Sequence, residues 1–253
     1  MHDHRRTLSC IVALALILIG GCASPPTLDT APPQDPRLAD TRLRHGVWIF
    51  LKTGPASSTL SPEAMSEAMS GHFANMDRLV EAGQLWLAGP LGSTGAAHDD
   101  RGVFLLATAD TAEGLALAQT DPAVQAGVFV LEAHSLSSGS ALEHIVDLDR
   151  AHQAAREAAR PGEDVPWEGR AYVLARHLRE DASDAIVASL RDSGVALFDG
   201  LLDDRDWLVC LDAQDLTAAR SALVAAGAVK LAGEWTLMPW YATTGLVDLP
   251  SAR

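Results

Sequence analysis

One histidine lies where the pattern of apolar residues predicts the buried side of a helix. His72 falls between Met69 and Met76 at the spacing that places side chains on one helical face. A buried imidazole needs a hydrogen-bond partner, because burial disfavours its charged form. Two interpretations follow: a core histidine bonded to a backbone carbonyl, or an acid–base residue that exchanges a proton with a ligand.

Asp121 is the candidate partner of this imidazole. It precedes Pro122 after a second predicted helix, and an Asp-Pro pair is also a favourable start for a short helix. The carboxylate would therefore either cap that helix or accept a hydrogen bond from His72. In the second case it fixes the tautomer of the ring, and the other ring nitrogen can take or give a proton.

The elements that position these residues follow one order twice. Apolar runs, capping residues and glycines predict the order β-α-β-β-α-β in each copy. The first copy has predicted strands at 45–52, 85–88, 103–108 and 127–133, with helices beginning near Ser61 and Asp110. The second copy has predicted strands at 171–176, 195–202, 207–211 and 229–237, with helices at 181–192 and 215–226.

A repeated spacing supports an internal duplication. Gly83 and Gly89 are six residues apart, as are Gly194 and Gly200. A βαββαβ unit forms a four-stranded antiparallel sheet with both helices on one face, so its other face needs cover. We therefore expect an α+β fold in which two tandem units pack as an intrachain pseudo-dimer.

The net charge excludes one class of partner. Thirty-three acidic and nineteen basic residues give a charge of −14, and aromatic residues make up only 5% of the chain. Such a chain repels nucleic acid and offers little for base stacking. No cofactor motif is evident. His45 and His134 would meet if the first and fourth strands pair, but two histidines without a third ligand do not predict a metal site.

The N-terminus resembles the signal peptide of a bacterial lipoprotein. Two arginines precede an apolar run at 11–19 that is too short to span a bilayer. Residues 20–22, Gly-Gly-Cys, then resemble a lipobox, which predicts removal of 1–21 and acylation of Cys22. Ordinary secretory cleavage near Ala23 is the alternative.

An acylated Cys22 would attach the chain to a lipid bilayer. Prolines predict an extended tether over 22–44, and Ala23 is typical of sorting to the outer membrane. We therefore expect a lipid-anchored domain in the cell envelope, at the outer membrane and facing the periplasm. With Cys10 removed and Cys22 acylated, Cys210 has no disulfide partner and is predicted to be a buried core thiol.

Four segments of the first copy resemble the YCII (YciI-like) domain family in order and spacing. They are Gly71-His72-Phe73-Ala74-Asn75-Met76, Glu81-Ala82-Gly83-Gln84-Leu85 with Leu87-Ala88-Gly89-Pro90, Arg101-Gly102-Val103, and Asp121-Pro122-Ala123-Val124-Gln125-Ala126-Gly127-Val128-Phe129. The resemblance covers residues 45–136. It implies a ferredoxin-like dimeric α/β barrel, built here from the two tandem units. It also implies a His–Asp pair at the active site, in the positions of His72 and Asp121.

The resemblance implies chemistry by proton transfer. One activity in the family is dehydrochlorination of a chlorinated hydroxyquinol, and the wider superfamily includes muconolactone isomerases. We therefore expect an envelope-anchored enzyme of lyase or isomerase type that acts on a small acidic organic molecule through His72 and Asp121. Backbone groups around Gly89 and Pro90 would bind a substrate oxygen. Arg101 would neutralise a carboxylate, unless it only covers the end of a strand at the surface.

A non-catalytic module is the alternative, one that keeps the family fold and binds a small ligand or an envelope protein. The second copy carries Ser183 and Ala226 at the positions that match His72 and Asp121, so it would serve as the dimerisation partner. The predicted organisation is a signal peptide 1–21, a tether 22–44, a YCII-like domain 45–136, a linker with a helix 137–168, a degenerate second ferredoxin-like unit 169–242 and a tail 243–253.

Overall fold

Eight strands form one antiparallel sheet that curls into a nearly closed barrel. The computed structural model describes residues 43–92, 99–228 and 234–250, and the predicted signal peptide and Cys22 lie outside these ranges. The strands are β1 (Arg44–Thr53), β2 (Leu85–Pro90), β3 (Asp100–Leu106), β4 (Phe129–Ser138), β5 (Gly169–Leu178), β6 (Ala196–Leu202), β7 (Asp206–Leu211) and β8 (Thr236–Thr243). The expected α+β class is confirmed.

The order of the strands shows how the barrel is assembled. Across the sheet they run β2-β3-β1-β4-β6-β7-β5-β8, so β1–β4 and β5–β8 follow the same relative order. β4 pairs with β6. At the opposite seam Leu91 forms a single bridge with Trp240, and the Gly92 N–H donates to the Pro239 carbonyl at 2.7 Å. One junction is therefore a strand pair and the other is a seam.

Six α-helices accompany the described strands. They are α1 (Pro62–Glu81), α2 (Thr111–Ala118), α3 (Pro122–Gln125), α4 (Ile145–Ala159), α5 (Asp181–Asp192) and α6 (Leu216–Ala225), with short 3₁₀ helices at Leu142–His144 and Thr244–Asp248. α1 begins as its sequence predicts: the Ser61 hydroxyl accepts the Ala64 N–H at 3.2 Å, and Pro62 occupies the first turn.

Successive side chains of a strand point to opposite faces of the sheet, and this alternation divides the buried apolar residues into three regions. From β1, Trp48 and Phe50 pack in the barrel interior, together with Tyr172 and Trp240. The intervening Ile49 instead belongs to a first helix layer, where α1 and α2 cover β1–β4. A second helix layer lies beneath α5 and α6 over β5–β8. The barrel interior is thus shared by both halves, whereas each helix layer belongs to one half.

Gly89 marks the seam between β2 and β8. A Cβ atom at this position would lie 2.2 Å from the Tyr241 carbonyl oxygen and 2.7 Å from Nε1 of Trp240. Only glycine allows so close an approach of two backbones. The residue therefore has a structural role in closing the barrel.

Two sequence predictions about the strands are wrong within the described residues. The last strand was expected at 229–237, of which 229–233 lie outside the described ranges; β8 runs from Thr236 to Thr243 and so ends six residues later than expected. His45 and His134 do not meet, because the register of β1 and β4 places them opposite Ser137 and Trp48, respectively. The prediction for Cys210 is confirmed: it is fully buried in the barrel interior, and burial raises the pKa of its thiol.

Candidate functional site

The structure brings His72 and Asp121 together. His72 lies on the inner side of α1, and Asp121 lies between α2 and α3. The imidazole Nδ1 and the carboxylate Oδ2 are 2.6 Å apart, and Asp121 is 0% exposed. The other oxygen, Oδ1, accepts the Ala123 N–H at 2.8 Å, which caps α3. Asp121 therefore both caps a helix and binds the histidine, with one oxygen for each task.

Aromatic side chains surround the imidazole. The ring of Phe104 is stacked on that of His72, with centroids 5.7 Å apart and planes 19° apart. Phe129 and Phe73 approach at centroid distances of 5.5 Å and 5.3 Å. Phe73 is itself 57% exposed, so the pair lies just beneath the surface of the first helix layer. These rings exclude water from most of the imidazole, which strengthens its interaction with the carboxylate.

The second ring nitrogen of His72 remains available. Nε2 makes no hydrogen bond to any part of the chain that the structure describes, yet it is not among the fully buried nitrogen atoms that lack a partner. The Asp121 carboxylate accepts a hydrogen bond from Nδ1. This favours a proton on Nδ1 and, in the neutral ring, leaves a lone pair on Nε2. The arrangement can therefore take up a proton at Nε2, with the carboxylate balancing the resulting charge.

Burial distinguishes this pair from two others of the same length. His134 Nδ1 and Asp203 Oδ2 are 2.6 Å apart, as are His152 Nε2 and Asp248 Oδ2. The side chains of Asp203 and Asp248 are 53% and 59% exposed, whereas that of Asp121 is fully enclosed. Water weakens the two exposed pairs, so the environment and not the distance singles out His72.

Asn75 extends the site and was missed by the sequence reasoning. Its Oδ1 accepts hydrogen bonds from Arg78 Nη2 at 2.8 Å and from the Thr120 hydroxyl at 3.2 Å. Its Nδ2 is buried and has no partner among the described residues. Asn75 thus ties α1 to the residue preceding Asp121. The sequence did contain one signal for Asn75: it is three residues after His72, so both side chains lie on the same face of α1.

The remaining predicted site residues lie elsewhere. Gly89 is packed in the seam, and Pro90 ends β2 opposite Gly102. The Arg101 guanidinium is exposed, and its Nε donates to the Thr53 hydroxyl at 2.6 Å. Within the described ranges no contact joins these residues to the His–Asp pair. Their expected substrate-binding roles stay predictions.

A cavity of about 480 Å³ opens at one end of the barrel. Its lining includes Phe50, Arg176, Asp206 and Met238, but neither His72 nor Asp121. Arg176 donates to Asp206 Oδ2 at 2.7 Å and lies over the Phe50 ring at 5.7 Å. The cavity therefore combines an apolar floor with an arginine that is already paired.

Comparisons with known proteins do not assign this chain to a family. No protein-family model, no curated protein and no solved structure matches it. Among the described residues no helix is both long and apolar enough to cross a membrane.

Proposed function

We propose that the chain is an enzyme of lyase or isomerase type, which transfers a proton to or from a small acidic organic molecule at His72. The observation that carries this proposal is the buried pair, with Asp121 Oδ2 2.6 Å from Nδ1 of the imidazole. An enclosed carboxylate holds the ring in one orientation and stabilises the imidazolium that forms when Nε2 accepts a proton. The resemblance to the YCII domain agrees with the same two residues.

A second candidate function is binding without catalysis. The cavity of about 480 Å³ favours it, because this volume suits a small organic ligand and lies away from His72. Phe50 and Met238 in its lining would contact an apolar part of the ligand, and the exposed Arg205 an anionic group. In this alternative the His–Asp pair has a structural role, and the ligand occupies the end of the barrel.

The proposed architecture and location complete the hypothesis. We infer that the two halves are tandem ferredoxin-like units derived from one another, because their strands follow the same relative order. Asp110 and Asp215 also cap the corresponding helices α2 and α6.

The lipobox-like Cys22 and the following prolines support a lipid-anchored position in the cell envelope, at the outer membrane.

The deciding experiment compares ligand binding with turnover. Hydroxy-aromatic, quinol and lactone acids are screened by thermal shift on the full chain, and stabilising compounds are then tested for conversion. His72→Gln keeps a donor for Asp121 but removes the proton-accepting nitrogen. We expect it to retain binding and to lower turnover by about 100-fold or more.

Two control variants make the result specific. His152→Gln removes a histidine that also lies 2.6 Å from an aspartate but is exposed, and it should leave turnover unchanged. Arg176→Gln alters the cavity and should reduce stabilisation only in the binding alternative. Conversion by His72→Gln at the wild-type rate would refute catalysis at this pair.

A further inference from the structure

We propose that His177, Glu180 and Glu234 bind a divalent transition-metal cation at the end of the barrel. His177 lies near the end of β5, Glu180 directly precedes α5, and Glu234 lies just before β8. One ligand atom from each residue falls within 4.8 Å of the other two. Two segments of the second half, 177–180 and the residues just before β8, thus bring three ligand atoms close together.

The orientation of the His177 imidazole is fixed by its neighbours. It is 6% exposed and stacks on Trp235, with ring centroids 4.8 Å apart and planes 29° apart. Its Nδ1 lies 2.5 Å from the Leu178 carbonyl, so this nitrogen carries the proton and donates it. In the neutral ring the lone pair is then on Nε2. Metal-binding histidines are commonly fixed by a backbone carbonyl on their other nitrogen in this way.

Nε2 points toward the carboxylates without bonding to them. The recorded contact is Glu234 Oε2 at 3.6 Å, which is too long for a hydrogen bond. Two ligand atoms that each lie about 2.1 Å from one tetrahedral ion are separated by about 3.4 Å. The spacing of this pair therefore suits a shared cation better than direct contact, and Nε2 of a side chain that is only 5% exposed has no other partner in the described chain.

The charge around the cluster also favours a cation. No lysine or arginine of the described ranges pairs with Glu180 or Glu234. Two neighbouring arginines bind other carboxylates, Arg176 that of Asp206 at 2.7 Å and Arg179 that of Asp184 at 3.3 Å. Arg205 is largely exposed and its recorded contact is with Asp206 at 3.7 Å. Two carboxylates and one neutral imidazole would balance a doubly charged ion.

The donor set and its surroundings define the class of ion. An imidazole nitrogen with two carboxylates suits Zn²⁺ or Mn²⁺ more than Ca²⁺ or Mg²⁺, which prefer oxygen ligands alone. His177 and Glu234 both line the cavity of about 480 Å³. Three protein ligands beside an open space would leave a coordination position for water or for an anionic group. This site does not depend on the His72–Asp121 pair.

Calorimetric titration of the chelator-treated full chain with Zn²⁺ and Mn²⁺ tests the site. We expect one saturable event per chain that Glu234→Gln or Glu180→Gln weakens by about 10-fold or more. Both glutamates are exposed, and glutamine at 180 can still accept the Ser183 N–H that caps α5, so these variants should fold normally, which far-ultraviolet circular dichroism checks. His177→Gln should weaken binding at least as much, and the glutamate variants decide the matter if it fails to fold.

The controls separate this site from other metal-binding side chains. Glu67→Gln changes an exposed glutamate on α1 and should not alter affinity. His2 and His4 near the N-terminus are a possible adventitious site, so a variant lacking both should bind as the wild type does. Three results would each overturn the proposal. The first is unchanged affinity in Glu234→Gln, the second is loss of binding only in the variant that lacks His2 and His4, and the third is tighter binding of Mg²⁺ than of Zn²⁺ and Mn²⁺.

Discussion

The two helix layers are built on the same strand order and yet differ in what they bury. In the first layer His72 and Asp121 place an acid–base pair between α1, α3 and the sheet. In the second layer the residues at the same sequence spacing from Gly194 and Asp215 are Ser183 and Ala226. The Ser183 hydroxyl donates to the Glu180 carbonyl at 2.8 Å, and Ala226 lies at the end of α6. The second layer instead joins α5 to β6 through Arg191 and Asp199, whose Nη2 and Oδ2 atoms are 2.6 Å apart, with Asp199 only 7% exposed. The two halves therefore bury different kinds of ionisable pair beneath their helices.

The largest expected effect comes from removing the carboxylate in the first layer. Asp121→Ala takes away the partner of His72 and the cap of α3, and should lower the free energy of unfolding by about 3–4 kcal/mol. Asp215→Ala removes an exposed cap on α6 and should cost only about 1 kcal/mol. Urea denaturation of both variants measures the difference. Equal losses would mean that the buried pair adds nothing to stability.

Asp121→Asn refines that comparison. It keeps an oxygen that can accept the Ala123 N–H but removes the negative charge next to His72. Stability should fall between that of wild type and that of Asp121→Ala. A variant as unstable as Asp121→Ala would assign the whole effect to the charge.

A smaller effect is expected where the two layers pack on the sheet. Gly114 is four residues after the cap of α2, and a Cβ atom there would lie 2.6 Å from the Cβ of Val47. The matching residue of α6 is Ala219, which is fully buried. Gly114→Ala should destabilise the fold by about 1–3 kcal/mol through overpacking. Ala219→Gly should cost about 1 kcal/mol through helix propensity. Thermal unfolding of the two variants tests whether the first layer is the tighter one.

The smallest expected effect concerns the polar contact between the halves. Partial burial raises the pKa of Asp203, but hydrogen bonds from His134 and Ser135 outweigh it, so that pKa falls below 3.8. Carboxylates with lowered folded pKa values add stability above their ordinary pKa, and this contribution is lost as the pH falls through the lowered values.

Asp203→Asn tests this contact. Between about pH 5 and pH 3 the wild type should lose more stability than the variant, by less than about 1 kcal/mol, because the pair is exposed. Denaturant midpoints over this range provide the measurement. Parallel pH profiles would show that the charge of Asp203 adds nothing to the contact between β4 and the turn after β6, where the Asp203 N–H also donates to the Ser135 carbonyl at 3.0 Å.

Local signals in the sequence predicted much of the fold. The Ser61-Pro62 start of α1 and the bounds 181–192 of α5 agree with the structure, because capping and periodicity act within a few residues. β8 was misplaced since Pro239 interrupts its apolar run. In the barrel Pro239 lies opposite Val173 of β5 and its carbonyl faces the seam, where a missing N–H costs little.

The candidate site was predictable only in part. The sequence left Asp121 as either a helix cap or a partner of His72, and the structure shows both because a carboxylate has two oxygens. The cluster of His177, Glu180 and Glu234 was not anticipated, since Glu234 is distant in the chain and reaches the others only through the register of β5 and β8. Pairing between strands that are distant in the chain leaves no pattern within a short stretch of sequence.

The seam has a consequence for the order of events during synthesis. Gly89 meets Tyr241, so the barrel cannot close until the segment around Tyr241 has left the ribosome. Until then β2 presents an unpaired edge, and so does β4 before its partner β6 is made. Such open edges invite pairing with other chains. The nascent protein is therefore most vulnerable to aggregation in the interval between completing its first half and closing the barrel.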